Sequence, residues 1–108
     1  MDSILATEAL GALSQTTRLD AFRLLVKSEP TGLAAGEIAR LLGVPANTLS
    51  SHLAILGRAG LVTSERQSRS IVYRADITTL RNLMVFLAKD CCGGSQELCA
   101  PLLQELAC

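Results

Sequence analysis

Gly43-Val44-Pro45-Ala46-Asn47-Thr48-Leu49-Ser50-Ser51-His52-Leu53 is the stretch on which the fold turns. Gly43 is the residue type that closes a helix in the left-handed conformation, and Val44-Pro45 follow as a short turn. From Ala46 to about Arg58, Leu49, Leu53 and Leu56 recur at helical spacing on one face. Asn47, Thr48, Ser50, Ser51 and His52 lean outward near the start of the same helix. Upstream, Ala35 to Leu42 reads as a helix that buries Ile38, Leu41 and Leu42. Two helices joined by a tight Gly-containing turn are a helix-turn-helix.

Working outward, Leu19, Phe22, Leu25 and Val26 predict a preceding helix, begun among the possible caps Ser14-Gln15-Thr16-Thr17 and closed before Pro30. Ile4, Leu5, Ala9, Leu10 and Leu13 predict a first helix that stops near Gly11 to Ser14, with an apolar face wide for a chain terminus. Downstream, Leu61 to Arg66 and Ser70 to Ala75 are β-prone runs separated by Gln67-Ser68-Arg69, a β-hairpin that forms a wing. Asp76 suits the N-cap of a fifth helix carrying Ile77, Leu80, Leu83, Met84 and Leu87, expected to run to Gly93-Gly94. Gln96 to Ala107 reads as a short amphipathic helix interrupted early by Pro101. The fold class is therefore mostly α with a small β-hairpin, a winged helix-turn-helix. Residues 1–90 form the folded domain and residues 91–108 a separate C-terminal segment.

The 108 residues allow one compact core and exclude a two-domain enzyme with its own cofactor fold. Half the chain, 49%, is hydrophobic but only Phe22, Tyr73 and Phe86 are aromatic, which describes packed aliphatic helices. No apolar run approaches the roughly 20 residues of a membrane span, and Met1-Asp2-Ser3 lacks the basic start of a signal peptide, so a soluble, cytoplasmic protein is expected. Net charge is zero, yet residues 40–74 set Arg40, Arg58, Arg66, Arg69 and Arg74 against Glu65 alone, while both flanking thirds are acidic. Arginine grips a phosphate through two parallel hydrogen bonds, so this middle third suits a nucleic-acid surface, although exposed arginines also cluster on ordinary solvated faces.

Leu13-Ser14-Gln15-Thr16-Thr17-Arg18-Leu19-Asp20, the Gly43–Leu53 stretch and Ala59-Gly60-Leu61-Val62 before the wing together resemble the ArsR/SmtB family of metal-responsive repressors, over residues 4 to 90. The resemblance implies a winged-helix repressor that is a homodimer through its terminal helices, the first and the fifth. The apolar surface of both helices agrees, being more than so small a core absorbs. Double-stranded operator DNA is the implied partner. An α-helix fits the major groove with its N-terminal residues at base edges, which suits Asn47, Thr48, Ser50 and Ser51, although a Ser/Thr-rich first turn also serves helix capping. His52, the sole histidine, fits packing or a phosphate contact better than metal binding. Arg66, Gln67 and Arg69 at the wing tip suit phosphates or a minor groove, and Arg40 and Arg58 suit the backbone beside the recognition helix.

Four cysteines, Cys91, Cys92, Cys99 and Cys108, fall within the last eighteen residues. Free cysteine is often a small buried hydrophobe, but a vicinal pair followed by Gly93-Gly94 and a third cysteine is unusual. Neighbours on a regular helix point about 100° apart, so two sulfurs aim at one atom most easily where glycines loosen the chain. Three soft thiolates suit trigonal-pyramidal As(III) or Sb(III), whereas Zn(II) prefers four ligands and would recruit Cys108. Many relatives in the resembled family carry an inducer-binding Cys-x-Cys at the start of the helix before the recognition helix, where Ala34 and Gly36 stand here. The expected inducer is therefore As(III) or Sb(III) held by Cys91, Cys92 and Cys99. The same thiols leave open sensing of Zn(II) or Cd(II), oxidation to disulfides, and a zinc-stapled interaction module. A thiol enzyme needs a low-pKa cysteine or a cofactor loop, and neither is visible, so no enzyme is expected.

Overall fold

The computed structural model describes residues 1–89 and 96–106. Helix α1 (Ser3–Leu13) begins where the Asp2 carboxylate accepts the Leu5 N–H at 2.9 Å. Helix α2 (Thr16–Lys27) is capped by Gln15, whose side-chain oxygen accepts the Arg18 N–H at 2.9 Å. A two-residue strand, β1 (Leu33–Ala34), leads into α3 (Ala35–Leu42), which Gly43 closes at φ 67° and ψ 35°. Helix α4 (Ala46–Arg58) follows after Pro45. Strands β2 (Val62–Gln67) and β3 (Ser70–Ala75) form the hairpin, α5 (Ile77–Ala88) starts under the Asp76 cap, and α6 (Gln96–Leu106) ends the described chain.

One core, aliphatic apart from Phe22, joins α1 to α5 and the sheet. Leu25, Ile38, Leu49, Leu53, Leu56 and Leu61 are its largest fully buried side chains, and among the described residues no polar or charged side chain is buried. The sheet runs β1-β3-β2, all antiparallel, with Val62 opposite Ala75 and Ser64 opposite Tyr73. The expected hairpin is thus the larger part of a three-stranded sheet. Gly32 makes the third strand possible: it sits at φ +73°, and a Cβ there would collide with the Tyr73 carbonyl oxygen. The hairpin loop is Ser68-Arg69, shorter than the expected three residues, with Ser68 at φ 56°.

Three further sequence expectations are corrected. Leu41 is 48% exposed, because the inner face of α3 is centred on Ile38, Ala39 and Leu42, and about 100° per residue turns Leu41 away from it. Helix α5 ends at Ala88, with Lys89 already extended at ψ 128°, short of Gly93-Gly94. Helix α6 continues through Pro101, where the ring removes one backbone donor without ending the helix. Cys91, Cys92, Gly93, Gly94 and Cys108 lie outside the described residues, as does the side chain of Cys99. Among the described residues no helix is long and apolar enough to cross a membrane.

Candidate nucleic-acid interface

The first turns of α4 gather five of the predicted contact residues. Asn47, Thr48, Ser50 and Ser51 are exposed and His52 is half-buried, while Leu49 and Leu53 of the same turns are buried. The helix starts at Pro45 with no side-chain cap. The capping role open to this Ser/Thr-rich turn is therefore not used, and among Asn47, Thr48, Ser50 and Ser51 the one intrachain side-chain bond is a long 3.5 Å contact from Ser51 Oγ to the Asn47 carbonyl. Four short polar side chains thus face outward at the end of a helix anchored from below.

His52 is held from behind by a residue to which the sequence assigns no role. Arg18, near the start of α2, donates from Nε to the Ala12 carbonyl at 2.6 Å and places Nη1 3.4 Å from His52 Nδ1. Guanidinium only donates, so in that contact Nδ1 is the acceptor. Arg18 lies within the Leu13–Asp20 string that carries part of the family resemblance, but a spacing of 34 residues hides its contact with the recognition helix.

The arginines divide into paired and unpaired. Arg40 donates to both carboxylate oxygens of Glu37, one turn earlier on α3, with Nε 3.0 Å from Oε2. That bond holds the Glu37 carboxyl below the usual carboxylate range and raises Arg40. Arg74 of β3 forks onto Glu29 in the turn after α2 at 2.8 and 3.2 Å, which raises the Arg74 guanidinium. Arg58, Arg66 and Arg69 form no ion pair among the described residues. Arg66, Gln67 and Arg69 sit together, exposed, at the hairpin end, where Arg66 Nε lies 3.5 Å from the Ser68 carbonyl. Arg58 stands apart from the first turn of α4: eleven residues along the helix, about 16 Å away at the usual rise, it lines a shallow depression with Glu8, Gly11 and Ala12 of α1.

Between α4 and the hairpin lies a cleft of about 230 Å³ lined by Ser50, Thr63, Ser64 and Tyr73 over an apolar floor that includes Leu53 and Val62. The sequence reading includes Ser50 and misses the other three, since strand alternation leaves open which face of a hairpin meets the recognition helix. Among the described residues no group of three or more His, Cys, Asp or Glu side chains is placed to hold a metal ion.

Comparison with known proteins agrees with this geometry. A helix-turn-helix domain model matches residues 13–65. The chain is 35% identical over 85 residues to the HTH-type transcriptional regulator YgaV of Escherichia coli, covering 72% of this chain and 84% of that protein. An ArsR-like transcriptional regulator from a Rhodococcus species superposes with a TM-score of 0.73 at 26% identity, over 95% of this chain and 93% of the other. A homodimeric winged helix-turn-helix DNA-binding domain from Mycobacterium bovis, described as a possible ArsR-family regulator, gives 0.63 at 27% identity over 80% of each chain. With a recognition helix exposed at its first turn, an arginine-bearing wing beside it and these relatives, the chain belongs to the ArsR family of winged helix-turn-helix transcriptional regulators.

Proposed function

We propose that this regulator is a homodimeric repressor that binds operator DNA through α4 and the wing and leaves it when As(III) or Sb(III) is captured by Cys91, Cys92 and Cys99. The observation that carries DNA binding is the uncapped, outward first turn of α4, flanked by a hairpin whose tip arginines, Arg66 and Arg69, have no carboxylate partner among the described residues. Dimerisation is supported by α1 and α5, which expose Ile4, Leu5 and Leu10, and Val85, Phe86 and Leu87. The homodimeric state of the Mycobacterium bovis relative points the same way. Two such helices buried across a two-fold axis set paired recognition helices at the spacing of successive major grooves.

The inducer reading rests on thiol chemistry. Four cysteines occupy the last eighteen residues, and Ala34 and Gly36 leave the start of α3 without thiols. Three thiolates and a metalloid lone pair complete a trigonal-pyramidal site with no fourth ligand. Because α5 exposes apolar surface up to Leu87 and the vicinal pair follows within four residues, metalloid capture there acts on the element that orients the two subunits. The test is release of a bound duplex during titration with As(III), Sb(III), Zn(II), Cd(II) and peroxide. The trivalent metalloids are expected to release it, and serine at Cys91, Cys92 and Cys99 to abolish the response. Release by As(III) from that triple variant sinks the cysteine assignment. Release by Zn(II) or Cd(II), with Cys108 required, or by peroxide alone, identifies a different signal at the same thiols.

A further inference from the structure

We propose that the cleft between α4 and the hairpin seats one strand of the phosphodiester backbone, gripped by the neutral hydroxyls of Ser50, Ser64 and Tyr73; this rests on the DNA-binding reading above. The hairpin register builds the grip. Val62 and Ala75 face each other and are buried, so strand alternation puts the next pair on that face, Ser64 and Tyr73, at the mouth of the core, and the pair beyond it, Arg66 and Ile71, toward the tip. One face of the hairpin therefore passes from apolar, to hydroxyl, to cation as it leaves the core.

Ser50 closes the cleft from the exposed side of α4. Among the described residues none of the three hydroxyls has a hydrogen-bond partner, and no carboxylate lines the cleft. Tyr73 is half-buried with its ring packed against the core, so holding its phenol in place costs little ordering entropy on binding. Hydroxyl-bearing residues lining one cleft, with no acid among the described residues of its wall to repel an anion, match phosphate oxygens, and contacts of that kind fix the register of a protein on a duplex without reading sequence. The strand so held runs between the groove entered by the first turn of α4 and the groove reached by the wing tip.

Neutral donors and arginines are separable by salt, because only cations release counterions when they meet phosphate. The experiment measures affinity for a duplex selected from a random pool by the wild-type protein, between about 50 and about 200 mM salt. Tyr73→Phe keeps the ring and is expected to weaken binding about ten-fold at every salt concentration, with Ser64→Ala weakening it several-fold and both leaving the slope of log affinity against log salt unchanged. Arg66→Ala is expected to flatten that slope by about 0.9. A second measurement replaces single phosphates by methylphosphonate: one position should cost the wild type affinity and cost Tyr73→Phe much less. Wild-type affinity in both hydroxyl variants, a slope that changes with Tyr73→Phe, or methylphosphonate losses that are the same in both proteins overturns the cleft assignment while DNA binding stands. A wild-type protein that selects no duplex overturns both.

Discussion

Helices α1 and α4 are of similar length and pack on the same core, but their outer faces have opposite chemistry. Helix α4 buries Leu49, Leu53 and Leu56 and shows water Asn47, Thr48, Ser50 and Ser51. Helix α1 buries only Ala6, Ala9 and Ala12, and turns Ile4, Leu5 and Leu10 outward at 72, 51 and 43% exposure. Small residues inward let α1 lie close to its own domain while its large side chains wait for another apolar surface. A helix that buries only small residues and carries large apolar side chains on its outer face belongs between two bodies, whereas one sorted into apolar and polar faces belongs at the edge of one. On the reading proposed above, the contrast matches a protein partner to α1 and a polar polyanion to α4.

The largest expected effect comes from separating the two faces of α4. Leu53, 1% exposed, lies beneath the recognition turn, and Leu53→Ala should cost about 2–5 kcal/mol of stability in urea unfolding through the lost transfer energy and the cavity left behind. Thr48→Ala and Ser51→Ala, on the other face, should leave that stability within about 0.5 kcal/mol while weakening operator binding by about 1 kcal/mol each. Equal stability losses at Thr48 and Leu53 would show that the two faces are not sorted by partner.

Next in size, glutamate at Leu5 and Leu10 places charge on the outer face of α1. Far-UV circular dichroism should still report a folded domain, while sedimentation should show the dimer weakened by about 2 kcal/mol or more, roughly thirty-fold in dissociation constant. A double variant that sediments as the wild type does would remove α1 from the subunit interface and leave its apolar face unexplained.

What the sequence made legible follows the same division. The boundaries of α3 and α4 and the residues beneath α4 were readable because helical periodicity, Gly43 and the Asn47–Ser51 turn agree. Strand β1 was not, because two residues carry no period and their pairing depends on Gly32 meeting Tyr73 across 41 positions. Read from its glycines, the sequence puts the end of α5 too late, because glycines mark where a helix can stop and this helix stops earlier, after Ala88, for no reason visible in residue type. At the site, the recognition turn was legible and its supports were not. Arg18 behind His52, and Ser64 with Tyr73 across the cleft from Ser50, come together only through long-range packing.

Charge was the least legible property, and it yields the smallest and most discriminating effect. In the sequence Arg40 and Arg69 count alike, as members of one basic third. In the structure Arg40 is forked onto Glu37, and Arg69 has no carboxylate partner among the described residues. The Glu37 carboxyl is held below its ordinary range by that bond, so at neutral pH the pair is fully ionised and separates only as pH falls through the lowered value. A cation already neutralised by a carboxylate releases no counterion when it approaches a phosphate. Arg69→Ala should therefore flatten the salt slope of operator binding by about 0.9, and Arg40→Ala should leave it as it is. Glu37→Gln frees the Arg40 guanidinium and should steepen the slope by up to about 0.9 if α3 lies within reach of the duplex. A slope that falls equally in Arg40→Ala and Arg69→Ala would show that DNA pulls Arg40 away from Glu37, and would return α3 to the binding surface on which its sequence first places it.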